Sequence, residues 1–258
     1  MTAREMRERA WNKLSEGNWS RSVLAYLLFW LAGTIISSLL VQIGIRTGGI
    51  EVTTLGKYVM AKQGLEIPPE LPAMLRDMPM NIPTPGFRIF NYIVSTFVGG
   101  ALQAGWVLFA VAMMRNGARV MQVFSGFGRF LSTGWLMVLQ SFFVCLWSLL
   151  FIVPGIVAFY SYRQAFFLKA DHPEWSASRI LSESKRMMKG HKWRLACLDA
   201  SFIGWVLLCL VTVGVGFVFI APYMNVANAA FYEELLDRDT TALNQGGWED
   251  GRLDDQNG

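Results

Sequence analysis

The chain is 258 residues long, 53% hydrophobic and only 16% charged, with a mean hydropathy of +0.34. A soluble domain is about a quarter charged, so a single water-exposed globule is excluded in favour of a multi-span membrane protein. The net charge of +4 does not point to nucleic acid, because the basic residues cluster at the ends of apolar stretches and no nucleic-acid-binding signature accompanies them.

Residues Thr2 to Glu16 read as a short amphipathic helix. Thr2 and Glu5 have capping-box spacing, Met6, Ala10, Trp11 and Leu14 share one face, and Gly17 is the stop. Such a helix either lies at the membrane interface or packs on the bundle. The first span is expected over about 22–45, entered through Trp19 and Arg21. Five Lys/Arg precede it and Arg46 alone follows closely, which places the N-terminus in the cytoplasm. No A-x-A-type cleavage site follows this stretch, so it is expected to remain as an anchor.

Residues 46–88 form the one long extracytoplasmic connection and hold six of the nine prolines. A short helix is expected around Lys57 to Leu65, and an extended loop elsewhere. Met74, Met78 and Met80 lack a neighbouring His or Cys, so soft thioether binding of Cu(I) is not favoured and no metal or cofactor is expected. The second span covers about 89–114. Its pairs Gly100/Ala104 and Ala101/Gly105 have the small-xxx-small spacing that lets helices approach closely. The Gly126-Phe127-Gly128 sequence that follows is no nucleotide loop, since neither a preceding strand nor a Lys-Ser/Thr accompanies it.

From Phe130 to Tyr162 there is no charged residue. That run is too long for one crossing and is broken by Pro154-Gly155, so spans are expected over about 130–153 and 155–169 with an outer turn at that pair. A cytoplasmic helix is expected over 173–189, with Pro173 in its first turn and Gly190 as its stop. Ala177, Ile180, Leu181, Ser184, Met187 and Met188 trace its apolar face. Arg179, Lys185, Arg186, Lys189 and, beyond it, Lys192 are candidates for contact with lipid headgroups or a partner. The uncharged pattern returns with spans expected over about 195–220 and 222–236, broken at Pro222, and an acidic tail from Asp239 is expected to be disordered.

Glycine followed by tryptophan precedes an outgoing span three times, at Gly17/Trp19, Gly134/Trp135 and Gly190/Trp193. The fold class expected is therefore all-α: a six-helix transmembrane bundle of three like-oriented hairpins, plus amphipathic cytoplasmic helices.

Ionisable residues inside spans are costly and are functional candidates. Arg163 and Asp199 both lie roughly 7–9 Å inside the cytoplasmic boundary at helical rise, which suggests an ion pair acting as a clasp or as a gate. Gln103, Gln140, Asn225 and Asn228 either bond helices together or line a polar pathway with Tyr160, Tyr162 and Tyr223. The three cysteines make no disulfide framework, and His172 and His191 have no metal-ligand spacing. No catalytic triad, paired catalytic carboxylates or P-loop is present, so no enzymatic activity is expected.

The chain resembles, from about Arg7 to Leu235, the bacterial integral membrane family known as domain of unknown function 975. The likeness is carried by Arg7, Ala10, Leu14 and Gly17-Asn18-Trp19, by Leu146 to Gly155, Tyr162 and Asp171, by Ser184 to Lys192, by Ser201 to Trp205, and by Ala221-Pro222-Tyr223 with Phe231-Tyr232. It implies a multi-pass plasma-membrane protein without an assigned activity. Two function classes follow: a non-enzymatic scaffold that binds lipid, a membrane partner or its own copies, or a transporter or channel with a polar pathway near Arg163 and Asp199. The scarcity of charge within spans favours the first. A polar cavity reaching Arg163 and Asp199 would favour the second.

Overall fold

The computed structural model describes residues 2–54, 57, 77–115, 117–212 and 214–254, with side chains described as far as Thr241 except that of Val52. The fold is mostly helical, and four helical stretches are long and apolar enough to cross a membrane: Trp19–Arg46, Pro85–Met114, Val120–Leu150 and Lys192–Val211. The chain divides into two compact units, residues 1–30 with 97–258, and residues 31–96.

In the larger unit, helix α1 (Ala3–Ser15) begins with the expected capping box. Thr2 Oγ1 accepts from Glu5 N–H at 3.3 Å, and Glu5 Oε2 accepts from Thr2 N–H at 2.9 Å. Its face of Met6, Ala10 and Leu14 is fully buried, while Trp11 stays half-exposed beside Trp19 and Tyr223. Gly17, at φ 85°, takes the left-handed conformation that ends the helix. Helix α2 (Trp19–Arg46) follows, and its apolar side chains Leu24, Leu27 and Trp30 are exposed, as suits a helix facing hydrocarbon.

Helix α3 (Pro85–Met114) is the most buried of the four apolar stretches. Its small residues serve close approach. A Cβ on Gly100 would stand 2.7 Å from the carbonyl oxygen of Thr133, and Gly105 abuts the carbonyl of Val123. From the other side Gly126 abuts the carbonyl of Ala101. Val123 and Gly126 belong to a 3-10 segment (Val120–Arg129), which Gln122 opens by accepting from the Arg119 N–H at 3.0 Å. Helix α4 (Phe130–Leu150) continues from it.

The break in the long apolar run lies at Phe151, which is extended (φ −160°, ψ 150°), and not at Pro154-Gly155. Helix α5 (Ile152–Tyr162) starts there, so Pro154 occupies a first turn, where its missing N–H costs nothing. Helix α5 returns beside α4: Gly155 abuts Ser148, and the Phe143 and Tyr162 rings lie 6.1 Å apart. Arg163 caps α5 and helix α6 (Ala165–Asp171) follows, so residues 155–169 are two short helices rather than one.

Helix α7 (Ala177–Met187) starts later than expected, because Ser176 caps it by accepting from Arg179 N–H at 3.4 Å. Pro173 lies in the preceding connection, where its carbonyl accepts from the buried Lys169 at 2.9 Å. The apolar face expected for α7 is the buried one, and Gly190 ends the segment at φ 83°. Gly134, by contrast, sits inside α4 against Phe97, so it provides packing room and not a helix stop.

Helices α8 (Lys192–Ala200) and α9 (Ile203–Val211) form one apolar stretch kinked at Ser201-Phe202. It ends well before Ile220. Gly214 takes φ 86° and donates its N–H to the Cys209 carbonyl at 2.8 Å, closing the helix end. Pro222 is no turn; it lies within helix α10 (Phe217–Asp254). Among the described residues, helix α10 carries the most buried run, from Val226 to Tyr232, in which Ala227, Ala229 and Ala230 let its neighbours approach. The tail expected to be disordered from Asp239 is helical to Asp254. Asp239 is bound by Arg186, and the hydroxyls of Thr240 and Thr241 bond back to carbonyls one turn earlier.

Charged groups gather where α3 and α6 end, where α8 begins and midway along α10. Arg115 forks onto Asp171 at 2.7 and 2.9 Å and reaches Glu233 at 2.8 Å, while Tyr232 donates to Asp171 at 2.9 Å. The bond to Asp171 first, and then Glu233, hold Arg115 above the ordinary arginine range. Glu234 is buried and pairs with Arg194 and Arg238.

The smaller unit departs from the all-α expectation. Strands β1 (Ile50–Thr54) and β2 (Pro79–Pro83) pair antiparallel, Ile50 opposite Pro83 and Thr54 opposite Pro79. The β-branched run from Ile50 to Thr54 suits a strand, and both prolines of β2 sit at its ends. Phe87 and Ile50 are buried against Gly44 and Gly49. The helix expected from Lys57 to Leu65 lies, apart from Lys57, outside the described residues, as does Met74 of the methionine group.

Gly126→Ala should lower stability by about 1–3 kcal/mol, because the new methyl group meets a backbone carbonyl that cannot rotate away. Gly128→Ala, with open space around it, should be neutral; thermal unfolding in detergent compares the two. His191 gives a pH dependence. Burial first, then the charges of Arg194 and Arg238, hold its imidazole below the ordinary histidine range, with Glu234 opposing. The unfolded chain protonates near pH 6.5 while the folded one resists, so this contribution is complete above about pH 6.5 and is lost as pH falls through the folded value. The melting temperature should therefore drop from about pH 7 to about pH 5, and His191→Asn should flatten that slope. An equal slope in both proteins would refute the assignment.

Candidate functional site

The polar residues of the apolar helices come together at one cavity of about 420 Å³ in the larger unit. Helix α3 contributes Gln103 and Trp106, α4 contributes Gln140, the junction of α5 and α6 contributes Arg163, and α10 contributes Asn225 and Asn228. Phe166, Phe167 and Phe217 supply much of the apolar wall. The positions follow from local structure. Asn225 and Asn228 are three apart and share a face of α10, while Arg163 projects where the chain breaks between two short helices.

The amides are only partly satisfied. Asn225 Nδ2 donates to the Trp106 carbonyl at 2.9 Å, tying α10 to α3. Asn228 Nδ2 donates to the Met224 carbonyl at 2.8 Å, one turn back. Asn228 Oδ1 and Gln140 Oε1 are buried without a hydrogen-bond partner. Gln164 is completely buried, and neither its oxygen nor its nitrogen has a partner. Sequence reasoning missed Gln164. Its signal was an amide next to Arg163 in an otherwise apolar returning arm.

Arg163 and Asp199 are near enough to feel each other's charge, but they form no ion pair within 4 Å among the described residues. Asp199 Oδ1 is buried without a hydrogen-bond partner, and the Arg163 guanidinium lies over the Phe159 ring at 5.3 Å. An aromatic ring thus lies under the arginine that sequence spacing assigned to the carboxylate. Asp199 does not line the cavity.

Tyr162 and Tyr223 lie elsewhere as well. Tyr162 is buried against Phe143, and Tyr223 donates to the Arg7 carbonyl at 3.2 Å, fastening α1 to α10. Of the basic residues marked for headgroup contact, Arg186 is engaged by Glu183 and Asp239, and Arg179 lies 4.2 Å over the Trp175 ring. Lys185 and Lys189 remain exposed, and Lys192 is half-buried.

The cavity offers one fixed cation, carboxamide acceptors and aromatic walls. That set can bind and orient a polar solute, and it contains no nucleophile paired with a base. Comparison with curated proteins and with solved structures gives no match. The family profile described as protein of unknown function (DUF975) matches residues 1–172 and 155–239, and this chain belongs to that family.

Proposed function

We propose that the chain is a multi-pass protein of the bacterial plasma membrane that holds a small polar solute among its helices, as the core of a transporter or channel. The observation that carries this is the cavity where Gln103, Gln140, Arg163, Asn225 and Asn228 converge. Its volume is that of a small-molecule pocket, and polar groups at such depth are costly unless used. A scaffold needs no such space. The cavity reaches Arg163 and stops short of Asp199, so the polar pathway runs through the amides of α3, α4 and α10 rather than through a charge pair.

On this reading six segments cross the bilayer. The four long apolar stretches are joined by residues 155–169, where α5 runs into α6, and by residues 222–236 of α10, whose 38 residues at about 1.5 Å each are long enough. Both termini are cytoplasmic, as the basic flanks require. The protein is non-catalytic, its obligate surroundings are lipid, and neither nucleic acid nor a cofactor has a part.

Cysteine accessibility tests the pocket. In a chain with Cys145, Cys197 and Cys209 replaced by Ser, Gln140→Cys and Asn228→Cys should react with a charged, water-soluble methanethiosulfonate in membrane vesicles. Phe142→Cys, on an exposed apolar surface of α4, should not. Cavity positions as inert as Phe142→Cys would sink the reading.

A further inference from the structure

Asn228 is 6% exposed, and its orientation is fixed by the bond from Nδ2 to the Met224 carbonyl. Its Oδ1 is thereby left as a buried acceptor without a partner, and Gln140 Oε1 is a second one on the cavity wall. Asn225 is 9% exposed and spends its Nδ2 on the Trp106 carbonyl. Each bond uses one of the two N–H groups of its amide, whereas the oxygens of Gln140 and Asn228 have no donor at all. Each unmet acceptor carries a desolvation cost until something supplies an O–H or N–H.

Arg163 sets the other requirement. It lines the same cavity, makes no hydrogen bond or ion pair within 4 Å among the described residues, and would repel a simple cation. Its fork of N–H groups matches a carboxylate. Trp106, Phe166 and Phe167 leave an apolar wall for the body of a ligand.

From this convergence we infer that the cavity takes a small solute that carries both an anionic group and O–H or N–H donors, the chemistry of hydroxy acids and amino acids. The anionic group lies at Arg163, and the donors face Gln140 and Asn228. This rests on the pocket reading above and deepens it.

Three matched probes separate the requirements. Phenyllactate has the anionic group and a donor, phenylpropionate has the anionic group alone, and phenylethanol has the donor alone. Binding to the purified full chain in detergent is read by titration calorimetry, with the melting curve of each variant as a check on folding. Phenyllactate should bind about tenfold or more tighter than either control. Asn228→Leu should erase its advantage over phenylpropionate, and Asn228→Ser, which keeps an acceptor, should retain part of it. Arg163→Gln should weaken phenyllactate about tenfold or more and leave phenylethanol unchanged. Equal binding of phenyllactate and phenylpropionate, or no binding of any probe, overturns the ligand class. If cysteines in the cavity still react, the pocket reading survives that result; if they do not, both fall.

Discussion

The guanidinium of Arg115 ties the ends of α3 and α6 to the middle of α10. It follows the last turn of α3, forks onto Asp171 at the end of α6 and reaches Glu233 on α10, and Tyr232 donates to the same Asp171. Arginine suits this position because its planar fork meets one carboxylate with two N–H groups and still reaches a second. Both carboxylates are mostly shielded while the arginine is half-exposed, so the cluster is worth more than a surface pair and less than a buried one. Its larger effect is on register. The cavity is walled by side chains one to three turns along the same helices, so sliding α10 against α3 would separate Asn225 from the Trp106 carbonyl and reshape the wall.

Close packing around that clamp depends on what is missing from the side chains. Gly100, Gly105 and Gly126 each abut a backbone carbonyl, and Ala227, Ala229 and Ala230 line the buried run of α10. In hydrocarbon, where burial of apolar surface gives little drive for helix association, such contacts and hydrogen bonds such as Ser184 to the Ser161 carbonyl hold helices together. Against this tight surrounding, a space of about 420 Å³ bordered by unmet acceptors stands out. A chain that can pack glycine against a carbonyl could also fill a void with leucine. Keeping two carboxamide oxygens beside that space without donors costs stability, which is the physical argument for use.

Much of the fold was legible in the sequence because local chemistry decides it. Thr2 and Glu5 can cap only at their spacing, Gly17 and Gly190 take the left-handed conformation expected of helix stops, and α7 buries the face its period predicts. The breaks were legible in number but not in place. Proline draws the eye as a breaker, yet Pro154 fits a first turn and Pro222 sits inside α10, while Phe151 and Gly214 carry the backbone change. Nothing in phenylalanine's chemistry marks it as a break; the fold-back of α5 onto α4 imposes it. The β1–β2 pair was hidden by a proline-rich stretch in which Pro79 and Pro83 turn out to lie at the two ends of β2. The Arg115 cluster joins residues 56 and 118 positions apart, a separation no local pattern encodes.

The site was legible by a different rule, that polar groups deep in apolar helices need a reason. Four amides and Arg163, chosen by depth alone, border one cavity. Depth could not assign partners. Arg163 and Asp199 match in height, yet the guanidinium lies over the Phe159 ring and makes no contact ion pair among the described residues. That difference bears directly on chemistry. A closed Arg163–Asp199 pair would cancel its own charge and offer a solute nothing, whereas a guanidinium steadied over Phe159, near but not bound to Asp199, keeps N–H groups for an anion. The nearby carboxylate then tempers the site: it offsets part of the cost of an unfilled cation in a low-dielectric surrounding without competing for its hydrogen bonds. An arginine held this way can bind and release, which a permanent salt bridge cannot.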